Sequence, residues 1–108
     1  MSQDQRVVYE VNLEIRPSRR DEFDDWLREH VHDVLAQPGF VEAEIRADEE
    51  TGPDGTVRRT VCYWLENRPA LENYLAGPAE ALRADGVRRF GDDLRAWRRI
   101  GQVIGRPR

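Results

Sequence analysis

From Val7 onward the odd positions Val7, Tyr9, Val11, Leu13 and Ile15 are apolar, and Glu10, Asn12 and Glu14 alternate with them. A period of two predicts a strand with one buried face, and Pro17 stops it. The rhythm then changes. Phe23, Trp26, Leu27, Val31, Val34 and Leu35 recur at three- and four-residue spacing, which at about 100° per residue converges on one helix face. This predicts a helix over Ser18 to Leu35, with Ser18 as N-cap and Asp21 completing an approximate capping box. Asp21, Glu22, Asp24 and Asp25 suit the positive end of the helix dipole. Gln37-Pro38-Gly39 ends the helix.

Alternation returns over Phe40 to Ala47, with Val41, Ala43, Ile45 and Ala47 set against Glu42, Glu44 and Arg46. The run Asp48 to Gly55 is dense in turn formers and predicts an exposed hairpin loop. A third strand, Thr56 to Glu66, puts Val57, Val61, Tyr63 and Leu65 on one side and Arg58, Thr60, Cys62 and Trp64 on the other. Arg46 and Arg58 against Glu42 and Glu44 predict opposite-charge pairs between the second and third strands. Asn67 and Pro69 start a helix with Leu71, Tyr74 and Leu75 inward. Gly77-Pro78 interrupts it, and a second piece runs from Ala79 to Phe90. A last strand, Ala96 to Ile104, alternates less well.

The order βαββαβ predicts an α+β, ferredoxin-like domain over residues 6–104. Its plan is a four-stranded antiparallel sheet, strands one and three central, with both helices on one face. Residues 1–5 and 105–108 are expected to be flexible tails. The opposite sheet face carries Val8, Glu10, Asn12, Glu14, Thr60, Cys62 and Trp64. A tryptophan and a cysteine among polar groups predict that a second copy of the chain covers this face, through Asn12, Cys62 and Trp64.

A length of 108 residues fits one domain. All 17 basic residues are arginine, which a GC-rich bacterial genome explains, and the net charge of −4 argues against a nucleic-acid partner. A single cysteine excludes an internal disulfide and a Cys-based metal motif. The polar N-terminus lacks the apolar run of a signal peptide, and no stretch approaches the roughly 20 apolar residues of a membrane span. A cytoplasmic protein without a membrane partner is therefore expected.

The chain resembles an uncharacterised domain-of-unknown-function group of the dimeric α/β-barrel superfamily. The stretches that carry the resemblance are VVYEVNLEI, WLREHVHDVL, PGFVEAEI, TVCYWLENRPALENYL and ALRADGVRRFGDDLRAWRRI. H-x-x-D-V-L on the first helix and R-F-G-D before the last strand are the sharpest marks. The resemblance implies a ferredoxin-like protomer and a homodimer whose two sheets face each other, and it brings no established activity. More distant relatives include cofactor-independent antibiotic biosynthesis monooxygenases, in several of which the site lies between sheet and helices. Gly77 and Gly86 stand where closer relatives often carry a histidine.

One residue breaks the apolar stripe of the first helix: His30, with Asp33 one turn on. Two histidines at i, i+2 face opposite sides of a helix, so His32 cannot join His30 on a metal, and no metal or cofactor site is expected. If the helices cover the odd face of strand one, His30 and Trp26 lie over Tyr9 and Tyr63, with Tyr74 approaching from the second helix. Phenols, an imidazole and an indole around an apolar space fit a small aromatic molecule. His30 is then a candidate general base oriented by Asp33, as a cofactor-independent monooxygenase or isomerase would need. A histidine on an apolar face also reads as a core residue, and the chain shows no complete acid–base set. A binding module and an enzyme both stand at this point.

Overall fold

A computed structural model, describing residues 6–107, places β1 (Val7–Ile15) inside a four-stranded antiparallel sheet. The expected tail at 1–5 and residue 108 of the expected tail at 105–108 lie outside the described residues, and 105–107 carry no regular structure. The strand order is β2 (Phe40–Ala47), β3 (Val57–Leu65), β1, β4 (Leu94–Gln102). Helices α1 (Arg20–Leu35), α2 (Arg68–Ala76) and α3 (Pro78–Phe90) complete the chain. This is the ferredoxin-like arrangement, with the second helix split at Gly77 as the Gly-Pro step requires.

The odd face of β1 is the buried one. Val7, Tyr9, Leu13 and Ile15 pack with Val61, Tyr63 and Leu65 of β3, and α1 supplies Phe23, Leu27 and Val34. Asn67 caps α2 as expected, its Oδ1 accepting the Ala70 N–H at 3.0 Å. Gly39 turns the chain from α1 into β2 at φ +86°, and a Cβ there would meet the Ala70 Cβ at 2.3 Å, so both backbone and space demand glycine.

Several local expectations change. Ser18 does not cap α1. Pro17 starts a 3₁₀ turn over Pro17–Arg19, so Ser18 already lies inside the turn, and the helix begins without a side-chain cap. Arg16 and Arg19 instead close on the Asp93 carboxylate at 2.6 and 3.2 Å, tying the entry of α1 to the entry of β4. These bonds hold the Asp93 carboxyl below its ordinary range. The last strand starts at Leu94 rather than Ala96, because its register runs the full length of β1, from Ile15↔Leu94 to Val7↔Gln102. The expected charge pairs between β2 and β3 do not form. Register sets Arg46 opposite Thr60 and Glu44 opposite Cys62, so Arg46 bonds Glu44 on its own strand. Arg58 turns to Glu14 of β1, at 3.2 Å.

Asp24 was expected to serve the helix dipole, but its carboxylate takes a bidentate pair of bonds from Arg59 of β3, at 2.9 and 3.0 Å. The Arg59 and Asp24 side chains are only 12% and 22% exposed, so this contact clamps the first turns of α1 to the sheet. Asp24→Ala would leave a largely buried guanidinium unpaired, and the expected loss is about 2 kcal/mol. Urea denaturation should show a lower midpoint at unchanged slope. Asp25→Ala, which breaks only the exposed 3.0 Å pair with Arg28, should leave the midpoint where it was.

Candidate functional site

Between the sheet and helices α1 and α3 lies a cavity of about 80 Å³. Every ligand-binding candidate from the sequence reaches it: Tyr9 from β1, Trp26 and His30 from α1, Tyr63 from β3 and Tyr74 from α2. The phenols form one cluster. Tyr9 and Tyr63 stack with centroids 5.8 Å apart, and Tyr74 meets Tyr9 edge-on at 6.2 Å. Phe40 closes the far side against both Tyr63 and Tyr74. Such offset and edge-on contacts are the favoured aromatic geometries and hold the rings in place.

On the helix side, His30 stacks on Trp26 with centroids 4.6 Å apart and planes 16° from parallel. The indole N–H of Trp26 donates to the Asp85 carboxylate of α3 at 2.7 Å. Gly86 follows directly: a Cβ there would sit 2.7 Å from the indole ring, so only glycine lets α3 approach this closely. A histidine at position 86 has no room while Trp26 lies as it does. Position 77 is open, with the nearest atom 3.6 Å from a Cβ.

His30 is half-buried, and no hydrogen bond engages its ring among the described residues. Burial pushes its pKa down from 6.5; the Asp33 carboxylate pulls the other way, and Arg98 adds to the depression. The imidazole is therefore neutral at pH 7, with a nitrogen free to accept a proton. Asp33 itself is exposed and acts on His30 through its charge, with no hydrogen bond between them.

Burial raises the pKa of both Tyr63 and Tyr74, the latter to about 12, so these phenols stay protonated. Among the described residues no protein group hydrogen-bonds either hydroxyl. Tyr9 differs: its oxygen accepts from the Arg83 guanidinium at 2.6 Å. Arg83 and Arg98 are wall residues that sequence reasoning missed. Arg98 faces the helices because β4 pairs it with Val11, a register that the residue order alone does not give. Cys62 lies on the opposite face, buried within the single chain, and burial pushes its thiol pKa up, which fits packing rather than reactivity. Among the described residues no cluster of three His, Cys, Asp or Glu could hold a metal, and no helix is long and apolar enough to cross a membrane.

A depressed histidine pKa has a defined stability signature. Between its folded value and the unfolded value near 6.5 the native state binds fewer protons than the unfolded chain. Stability from His30 is thus fully present above that unfolded value and is lost as pH falls toward the folded one. Wild type should lose urea resistance in this window more steeply than His30→Gln. Parallel pH profiles for the two proteins would contradict the burial-driven shift.

Against known proteins, no curated protein matches the chain. Solved structures do, and their low identity makes the likeness one of fold. A mutant of SnoaB, a cofactor-independent oxygenase from Streptomyces nogalater, has a TM-score of 0.68 at 15% identity, over 94% of this chain and 96% of that one. A dimeric ferredoxin-like protein from an uncultured marine organism has a TM-score of 0.72 at 10% identity, over 94% and 98%. A candidate antibiotic biosynthesis monooxygenase from Deinococcus radiodurans gives 0.61 at 13%, over 86% and 89%. The model of one sequence family covers residues 6–104, nearly the whole domain just described, and the chain belongs to that family, the domain of unknown function DUF4286.

Proposed function

We propose that this protein is a homodimer that binds a small aromatic molecule between α1 and the sheet, on Tyr9, Trp26, Tyr63 and Tyr74. The observation that carries the reading is the pair of phenol hydroxyls, Tyr63 and Tyr74, at an apolar cavity with no protein partner to satisfy them. No buried side-chain polar atom among the described residues lacks a partner, so these hydroxyls open onto accessible space, where water or a ligand supplies their bonds. At about 80 Å³ the space is smaller than the roughly 150 Å³ that holds a benzene ring. A single ring enters if the rim side chains of α3 move outward, and Val87 there is 65% exposed. A macrocycle such as haem does not fit.

A second reading keeps the same cavity and adds chemistry. His30, neutral and with a free nitrogen at the wall, would take a proton from an acidic phenol or enol, Asp33 stabilising the imidazolium by its charge. The Tyr63 and Tyr74 hydroxyls would then hold the oxyanion. Of the monooxygenase and isomerase forms of this alternative, likeness in fold to SnoaB, described as a cofactor-independent oxygenase, favours the first.

For the dimer, the free sheet face presents Asn12, Trp64 and, opposite Asn12, Trp97 at 41% exposure. Cys62 lies on the same face, opposite Glu10 and Glu44. A second copy covering this face removes two indoles from water, and the marine ferredoxin-like neighbour is itself described as dimeric.

Ala96 lines the cavity from an exposed position on β4, so Ala96→Phe plugs the space without touching the core. A screen of single-ring phenols and aromatic acids, read by NMR at the Trp26 indole N–H, should give shifts in wild type and none in Ala96→Phe. Shifts in both proteins, or in neither, would defeat the cavity reading. Sedimentation at micromolar concentration should show a dimer that Trp97→Glu weakens at least tenfold, and a wild-type monomer would remove the dimer.

A further inference from the structure

We infer that the cavity selects an anion, namely a planar aromatic ring carrying a carboxylate. This rests on the reading above that the cavity takes a ligand, and it names the ligand's class.

The charge of the wall is opposite to that of the chain. The protein has 21 acidic residues against 17 arginines, yet the described lining of the cavity holds Arg83 and Arg98 and neither aspartate nor glutamate. Other arginines packed against the fold meet carboxylates, Arg59 with Asp24, Arg58 with Glu14, Arg16 and Arg19 with Asp93, while Arg6, Arg95 and Arg106, which also form no ion pair among the described residues, lie outside the lining of this cavity. Arg83 instead spends its one side-chain bond on the neutral hydroxyl of Tyr9. Arg98 forms no ion pair among the described residues.

Two acids of α3 lie close to Arg83 in sequence and neither pairs with it: Glu80, three residues back, forms no ion pair among the described residues, and Asp85 is engaged elsewhere. Its carboxylate accepts the Trp26 indole N–H at 2.7 Å and faces Arg88 and Arg89 at 3.4 and 3.5 Å. The wall therefore offers two guanidinium groups and two unengaged phenol hydroxyls, with no competing carboxylate. A guanidinium matches a carboxylate in plane and can bind it through two parallel bonds. The stacked tyrosines and the Trp26 indole suit the flat ring that would carry it. Binding a carboxylate would cost Arg83 only its bond to Tyr9, which stays able to donate to the incoming anion.

Benzoate and benzamide test this, since they share a ring and differ in charge. Each is titrated at millimolar concentration into the full-length protein, observing the Trp26 indole N–H and the cavity methyls of Val11 and Leu27. Benzoate is expected to bind at least about tenfold more tightly than benzamide. Arg98→Gln, at an exposed position of the edge strand, and Arg83→Gln should each reduce that preference, and the double variant should abolish it, read as the ratio of benzoate to benzamide affinity within each protein. Arg83→Lys should keep part of it, which guards against misfolding as the cause. Equal binding of the two probes by wild type, or an undiminished preference in the double variant, overturns the anion assignment and leaves the cavity reading intact. Shifts with neither probe overturn both.

Discussion

The indole of Trp26 sets the distance between α1 and α3, and much of the molecule follows from that distance. One edge of the ring is bonded to Asp85, one face is covered by His30, and its far carbons press where Gly86 has no side chain. Phe23 and Phe90 pack around it at 5.8 and 5.7 Å. A larger residue at 86 would lever α3 outward; a smaller one at 26 would let it collapse. The cavity lies just beyond this contact, bounded by the same indole, so its size is a by-product of helix packing rather than of any loop.

The arrangement of charge follows from where each arginine sits in the two layers. Arginines at helix and strand entries find carboxylates from neighbouring segments, and the Asp93 cluster ties three such segments together. An arginine pointing between sheet and helices meets mainly apolar and aromatic side chains. Arg59 escapes that isolation because Asp24 lies directly above it on α1. Arg83 and Arg98 do not, since Asp85 is held by the indole. The same bond that fixes the helix spacing therefore keeps the Asp85 carboxylate out of the cavity lining.

Most of the fold and about half of the site were legible in the order of residues. Tyr9 and Tyr63 follow from period-two alternation, and Trp26 and His30 from helical spacing, because burial of one face forces those patterns. Arg98 was not legible, since an arginine at an inward strand position looks like a break in alternation unless the register with β1 is known. Arg83 sits where Gly86 and Val87 blur the helical stripe. The Trp26–Asp85 bond spans 59 residues, and no local pattern encodes a contact of that range. Asp33 shows the limit from the other side: spacing set it on the right side of the helix but could not decide whether its carboxylate reaches the imidazole.

The sheet ends at β2 and β4, and each outer strand exposes backbone groups that another chain could pair with. β2 meets this with a bulge between Phe40 and Glu42 and with Glu42, Glu44 and Arg46 along its exposed length. β4 carries Arg95, Arg98 and Arg99. Charged side chains and an irregular register both penalise the addition of a further strand. An aggregating neighbour would have to bury those charges before gaining a single ladder bond. The abundance of arginine that looked like a mark of genome composition thus also keeps a small sheet from growing.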